Sequence, residues 1–414
     1  MRHPIEGKEA LNITGRSPSC RPGKTGILVL ALLAAGVVAA GCSSPGSSSG
    51  GGTASAVPPI TIGVSAAETG YLSASADIPF LKGIKYAVSA INGAGGVDGH
   101  KLVLSAVLDE QSSAATGVAN VNQLINQDHV DVIMAGSDST ACASAESAVA
   151  AAQTPMTCIS PPPSGSTYQF QVAASVPGMV ADEMGYIKSR HITSIALVNV
   201  STVYGQIIGK IITGLAAADG IKVAYTTTVS ATATDLTATM QAVKAAHPGA
   251  VVDSMTGPEH VVEAKGAAAA GLTVPLIQIT DTTNVFQESA QAYPDLYFVT
   301  LPPQAYPDVP DAALATAIKP FWSMYSSRNG GDTAQIAAAA YGWDAVHILA
   351  AAMAKAGAFT GPKLQAALQE LSYQGVNSLF EFSATDHGGE NAVPNPDSIG
   401  HFVGGKLQIV YNAS

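Results

Sequence analysis

Ile91-Asn92-Gly93-Ala94-Gly95-Gly96-Val97-Asp98-Gly99-His100-Lys101-Leu102 is the stretch on which the fold turns. Glycines at 93, 95, 96 and 99 permit positive φ at a helix end and a tight turn into the next strand. Outward from it, the same helix-turn-strand unit recurs. Short apolar, β-rich runs at 60–64, 102–108, 130–135 and 155–159 alternate with helical-period segments at 77–92, 113–127 and 141–152. A second series places strands at 195–200, 223–229, 250–255 and 276–280, with helices at 204–219, 235–246 and 259–270. Near-continuous apolar strands alternating with helices indicate parallel sheets covered on both faces. Two series imply an α/β fold with two doubly wound, Rossmann-like lobes.

The alternation stops after residue 300. Residues 311–327 and 333–356 read as long Ala-rich helices, 362–371 as a shorter one, and 378–382 and 401–411 as β-type stretches. These cannot build a third lobe. They are expected to cover the first lobe, with the last strand crossing to the second, so that several crossings make a hinge.

The chain has 414 residues, 47% hydrophobic and 12% charged, the composition of a folded, core-rich protein. Five of the 19 Lys/Arg and two of the 30 Asp/Glu precede residue 42, leaving 14 basic against 28 acidic residues. That balance argues against nucleic-acid binding, which needs clustered cations. The uncharged run 26–41 ends in Ala39-Ala40-Gly41-Cys42 and opens onto Ser43-Ser44-Pro45-Gly46-Ser47. This resembles the lipobox of a bacterial lipoprotein, with Arg16, Arg21 and Lys24 as the positive flank of a signal peptide. The resemblance implies cleavage before Cys42, lipid on its thiol, and an extracytoplasmic, membrane-anchored protein. The alternative is an uncleaved anchor helix, for which 16 residues is short. Residues 42–58, mostly Ser, Gly, Ala, Pro and Thr, read as a flexible tether.

Cys20 falls in the leader. Cys142 and Cys158 remain as an even pair in an oxidising compartment, either a disulfide or two buried thiols. The disulfide is the reading adopted. Its closed loop would stabilise by about 3 kcal/mol.

The 91–102 turn resembles that of the branched-chain amino-acid-binding proteins, class I periplasmic-type solute-binding proteins that serve ABC importers. Segment 267–272 before Pro275, Tyr341-Gly342-Trp343-Asp344-Ala345, and Gly400-His401-Phe402-Val403 fit the same pattern. The likeness runs over 59–414, through element spacing more than identity. It implies two lobes joined by three strands, with the solute in the cleft and crossings near Ser175, 300–303 and Gly400. Residues 1–41 would then be the lipoprotein signal peptide and 42–58 the tether. The first lobe would take 59–175 plus 302–399, and the second 176–301 plus 400–414.

In open parallel sheets ligands settle beyond the carboxyl ends of strands, near helix N-termini. Gly136-Ser137-Asp138-Ser139-Thr140 matches the family's hydroxyl-rich loop that grips an amino-acid carboxylate, with Ser137 at the contact serine and N–H groups near Ser139 and Thr140 assisting. Helix capping by Ser137, Asp138 or Ser139 is the plainer alternative. Asp138 departs from the family, since an anion there repels a carboxylate unless it points away. At Ser160-Pro161-Pro162-Pro163-Ser164 the family offers a carbonyl and a hydroxyl to the ammonium group, here Pro162 and Ser164; a rigid turn without ligand contact is the other reading. Tyr204 matches the tyrosine that closes over the solute, and Asp281 the acidic partner of the ammonium, unless it caps the next helix. Thr256 stands where the family often has an aromatic residue, and Tyr71 could supply a wall from the first lobe.

No nucleophile elbow, His-Glu-x-x-His or Walker-type loop is present, and the histidines lack metal-ligand spacing. The expectation is therefore a non-enzymatic binding protein without cofactor. It captures an amino acid, branched-chain or otherwise apolar, or a similar small zwitterion, and passes it to a membrane permease and its ATPase. A ligand sensor of the same fold, or binding of a related solute such as an amide, are the alternatives.

Overall fold

The computed structural model describes residues 57–389 and 397–412. The leader, Cys42 and nearly all of the tether lie outside the described residues. The sequence Ile-Thr-Ile-Gly-Val-Ser-Ala forms β1 (Ile60–Ala66), buried along almost its whole length. A strand with no polar face belongs inside a parallel sheet, and β1 pairs in parallel with β2 (Leu102–Asp109) on one side and β3 (Val132–Ala135) on the other. β4 (Met156–Cys158) and β5 (Gln169–Gln171) complete the order β2-β1-β3-β4-β5. The connecting helices are α1 (Ile78–Gly93), α2 (Ala114–Asn126) and α3 (Ser139–Ala152).

After β5 the chain passes through 172–175 into α4 (Val176–Ser189) and a second sheet. Its parallel part comprises β6 (Ser194–Val200), β7 (Lys222–Val229), β8 (Ala250–Asp253), β9 (Leu276–Gln278) and β10 (Leu296–Thr300). The order β7-β6-β8-β9-β10 repeats that of the first sheet. Helices α5 (Val203–Ala218), α6 (Thr237–Ala245), α7 (Glu259–Ala270) and α8 (Thr283–Ala292) link these strands.

The chain then leaves through α9 (Pro302–Ala305), α10 (Ala312–Arg328), α11 (Ile336–Ala356), α12 (Gly361–Gln369) and the hairpin β11 (Ser372–Gln374) and β12 (Leu379–Glu381). It re-enters the second sheet as β13 (Ser398–Val403), antiparallel to β10, followed by β14 (Lys406–Asn412). The re-entry precedes Gly400, because Ser398 already pairs with Thr300. The stretch 401–411 is thus two strands, not one: Gly404 and Gly405 take φ of +57° and +77° and turn the chain back. The result is a two-lobed α/β fold with a mixed sheet in the second lobe.

α11 is long and apolar enough to cross a bilayer, yet 78% of its most apolar stretch is buried inside the fold. It is a core helix. A Cβ on Gly83 would stand 1.9 Å from the Ala339 carbonyl oxygen, and one on Gly342 would stand 2.2 Å from that of Phe80. α1 and α11 therefore touch backbone to backbone, which only glycine allows at those two places. Asp344 of α11 is buried and accepts hydrogen bonds from the Val376 and Asn377 N–H groups and the Asn377 side chain. Burial lifts its carboxyl to about 7, with those donors opposing the rise.

Candidate functional site

Two sheets of the same strand order place their carboxyl ends toward a shared cleft, the position where such sheets bind ligands. The cleft holds a cavity of about 210 Å³. Its first-lobe wall comes from the loops after β1, β3 and β4, and its second-lobe wall from those after β6, β8 and β9. α4 and α11 close it from the side. Most of the remaining lining is aliphatic, including Leu72, Ile159, Val176 and Met179. Among the described residues, no Lys, Arg or His lines it.

The expected residues are largely gathered here. Tyr71, Ser137, Ser139, Thr140, Tyr204, Thr256 and Asp281 all line the cavity. Pro162 and Ser164 do not. β4 ends at Cys158, so Ile159 and Ser160 occupy the strand end, while the proline run carries Ser164 out to an exposed turn held by the Ser166 N–H to Pro163 carbonyl bond. Cys142 of α3 and Cys158 are joined by a disulfide beside this strand end.

In the first lobe the acids are satisfied by the backbone. Asp138 caps α3, accepting from the Thr140 and Ala141 N–H groups at 2.9 Å each. The Thr140 N–H is therefore committed to Asp138 and its negative charge is turned onto the helix end. Asp77, at the end of the helical turn 73–77, is fully buried and accepts from Ala67 N–H at 2.7 Å and Ser137 N–H at 2.9 Å. It ties the loop after β1 to the loop after β3. Burial raises Asp77 to about 6, the two N–H donors opposing. Glu110 rises to about 9, through burial first and then the charges of Asp77 and Asp138. The Ser75 hydroxyl is buried without a hydrogen-bond partner.

The second lobe is arranged around a histidine that belongs to no recognisable sequence motif. His260, completely buried in α7, lies 3.3 Å from Asp253 through Nε2 and 3.3 Å from Asp281 through Nδ1. Burial by itself would lower the pKa of this imidazole. The two carboxylates outweigh it and hold the ring protonated, well above the usual histidine range. Asp281 also accepts from the Gly257 N–H and from the Thr282 N–H at 2.6 Å. Glu183 and Glu263 are fully buried, and burial reinforced by Asp253 pushes both well above the carboxylate range. One imidazolium between two aspartates, with neutral glutamic acids behind, is the stable charge state of such a cluster. Pairwise spacing of His260 with Asp253 and Asp281, seven residues before it and 21 after, carries no recognisable motif. Only the adjacency of β8 and β9 brings the three together.

The lobes touch across the cleft. Tyr204 N–H, at the start of α5, donates to the Ser139 hydroxyl at 3.1 Å, and Thr283 N–H donates to the Ala334 carbonyl at 2.8 Å. Tyr204 and Tyr341 face the cavity, and burial raises both phenols far out of reach of ionisation at neutral pH. The arrangement can hold a small, mostly apolar molecule with polar ends. Among the described residues no three His, Cys, Asp or Glu side chains are placed to hold a metal ion.

A family model described as periplasmic binding protein matches residues 59–394, and the chain belongs to that family of solute-capturing, non-catalytic proteins. Solved structures show the same periplasmic-binding-protein type I fold. An extracellular ligand-binding receptor from Rhodopseudomonas palustris superposes with a TM-score of 0.76 at 18% identity, covering 85% of this chain and 99% of its own. The leucine-binding protein LivK from Thermotoga maritima gives 0.70 at 17% identity, covering 84% and 97%. The branched-chain amino-acid transporter substrate-binding protein LivJ from Streptococcus pneumoniae, in complex with isoleucine, gives 0.67 at 22%, covering 86% and 100%. A search of curated protein sequences finds no match.

Proposed function

We propose that this protein is the extracytoplasmic capture component of an ABC importer, taking an amino acid with an apolar side chain, branched-chain or other, or a similar small zwitterion. In this reading lipid on Cys42 and the tether 42–58 hold it at the membrane, and the closed lobes deliver the solute to a permease and its ATPase. The two lobes close on the solute about the three chain passages.

One observation carries this reading: a largely aliphatic cleft between two lobes whose polar side chains are hydroxyls, carboxylates and the Gln171 amide, with no basic side chain among the described lining residues. An aliphatic side chain fits the walls, and a compact charged end fits the strand termini. Ser137 and Ser139 at the positive end of α3 would receive the carboxylate, with Tyr204 as the closing contact and Tyr71 and Thr256 as walls. Only interactions made better in the closed state drive closure, and the Tyr204–Ser139 bond across the cleft belongs to that set.

The test is a thermal-shift screen of the purified protein against amino acids, amides, purines and sugars. A bound solute raises the melting temperature according to its occupancy. Apolar amino acids should give the largest shift. A shift confined to sugars or purines would refute the amino-acid reading.

A further inference from the structure

Glu259 opens α7 and is only 3% exposed. Neither of its carboxyl oxygens has a hydrogen-bond partner beyond its own backbone N–H at the helix start. Burying an unpaired carboxyl is costly, so its persistence asks for a partner that arrives later. The side chain is not itself part of the cavity lining but lies behind the lining residue Gly257. A Cβ on the lining residue Gly257 would stand 3.5 Å from Glu259 Oε2 and 3.2 Å from Ser75 Oγ, with the Tyr71 carbonyl oxygen at 3.9 Å. Ser75 lines the cavity from the opposite lobe, and its hydroxyl is likewise buried and unpartnered. An unshared acid and an unshared hydroxyl from different lobes thus converge on one corner.

The two carboxylates that line the cavity, Asp138 and Asp281, and Asp77 behind them are engaged. Asp138 and Asp77 are held by backbone N–H groups. Asp281 is held by His260, Gly257 and Thr282.

We propose that Glu259, rather than Asp281, is the residue that pairs with a cationic group of the solute, and that Ser75 Oγ accepts a second hydrogen bond from the same group. The assignment rests on the amino-acid reading above and gives it a chemical requirement: the solute must carry an amine. A cation held between the two acceptors adds an interaction made only in the closed state, so the ammonium favours closure.

A proton follows from this geometry. Burial raises Glu259 to about 7, its own N–H and protonated His260 oppose the rise, and the charges of Asp281 and Asp253 add to it. Tyr71, facing from the first lobe, stays neutral. An ammonium docking on the carboxyl holds it ionised, so the proton passes to the buffer. Affinity then rises with pH through the pKa of the free site, by about tenfold between pH 6 and pH 8.

The experiment titrates L-leucine, L-isoleucine, L-valine and the desamino analogue 4-methylpentanoate into the wild-type protein and Glu259→Gln at pH 6 and pH 8, by calorimetry in two buffers of different ionisation enthalpy. The wild type should bind its preferred amino acid about tenfold tighter at pH 8, releasing a fraction of a proton near pH 7. Glu259→Gln should lose at least about tenfold for that amino acid and show a flat pH profile, with 4-methylpentanoate unchanged. A variant with wild-type affinity and profile overturns the assignment and leaves the amino-acid reading standing. Failure of all three amino acids to bind the wild type removes that reading and the assignment with it. Should the variant not fold, zero proton exchange by the wild type on binding overturns the assignment by itself.

Discussion

Both lobes fasten the helix after their third strand to the end of their fourth strand, but with different chemistry. In the first lobe Cys142 of α3 is covalently joined to Cys158 at the end of β4. In the second, His260 of α7 reaches Asp281 beyond β9, with Asp253 on its other nitrogen. The disulfide is uncharged and indifferent to pH. The ion pair sets an imidazolium and two carboxylates just behind the cleft wall, in a place where low dielectric magnifies their effect. The same strand order therefore yields one wall whose acids are held by backbone N–H groups, and one built around a buried ion pair. Within the second wall, His260 engages Asp281, while the carboxyl of Glu259, next to the lining residue Gly257, has no side-chain partner.

The contrast can be broken most forcefully at His260. His260→Ala leaves Asp253 and Asp281 buried without their cation, and should destabilise the protein by about 3–5 kcal/mol in urea denaturation. A loss below about 1 kcal/mol would mean that the ion pair does not fasten the second lobe. The first-lobe counterpart, Cys158→Ser, should cost about 3 kcal/mol in the same assay. Its loss should be the same at pH 6 and pH 8, whereas the loss from His260→Ala should not. A pH-dependent Cys158→Ser effect would abolish the distinction between the walls.

Smaller effects probe how the walls meet. Ser139→Ala removes the acceptor of Tyr204 N–H and should weaken solute binding by about 1 kcal/mol, roughly fivefold. Scattering measurements should then show the solute-loaded variant more open than the wild type; equal compaction would assign the bond no part in closure. Glu110 gives the smallest effect. Its folded carboxyl lies at about 9 against an ordinary value of 4.5, so the folded state keeps a proton that the unfolded chain releases between those limits. Its contribution to stability therefore falls as pH rises through that window. Glu110→Gln, which cannot ionise, should gain stability relative to wild type at pH 8 and almost none at pH 4. A gain at pH 4 equal to that at pH 8 would show that packing, not charge, decides the site.

Much of the fold was legible because its signals are local. The apolar runs became β1 to β4 and β6 to β9, and the glycines at 95, 96 and 99 take φ of +119°, +91° and +86° in the turn out of α1. β5 escaped notice because Gln169-Phe170-Gln171 buries two amides, a pattern no hydrophobic scan rewards. β10 went unread beside the nearby Pro294, and the Gly404-Gly405 turn was absorbed into one long strand. The cleft was legible only in part. Strand-end positions such as Ser137 and Tyr204 could be placed by counting elements, since the end of a parallel strand is fixed by sequence. Ser164 could not, because three prolines lead the chain away from the sheet end.

Sequence by itself determined the two-series architecture and the loops from which a site could be built, because hydrophobic period and glycine conformation act within a few residues. Which acids find partners was decided by tertiary structure. Asp253, His260 and Asp281 meet only where β8 lies beside β9, and Ser75 meets Glu259 only where one lobe closes on the other. Charge pairing depends on distances across the fold and on the exclusion of water, neither of which is written in the order of the residues.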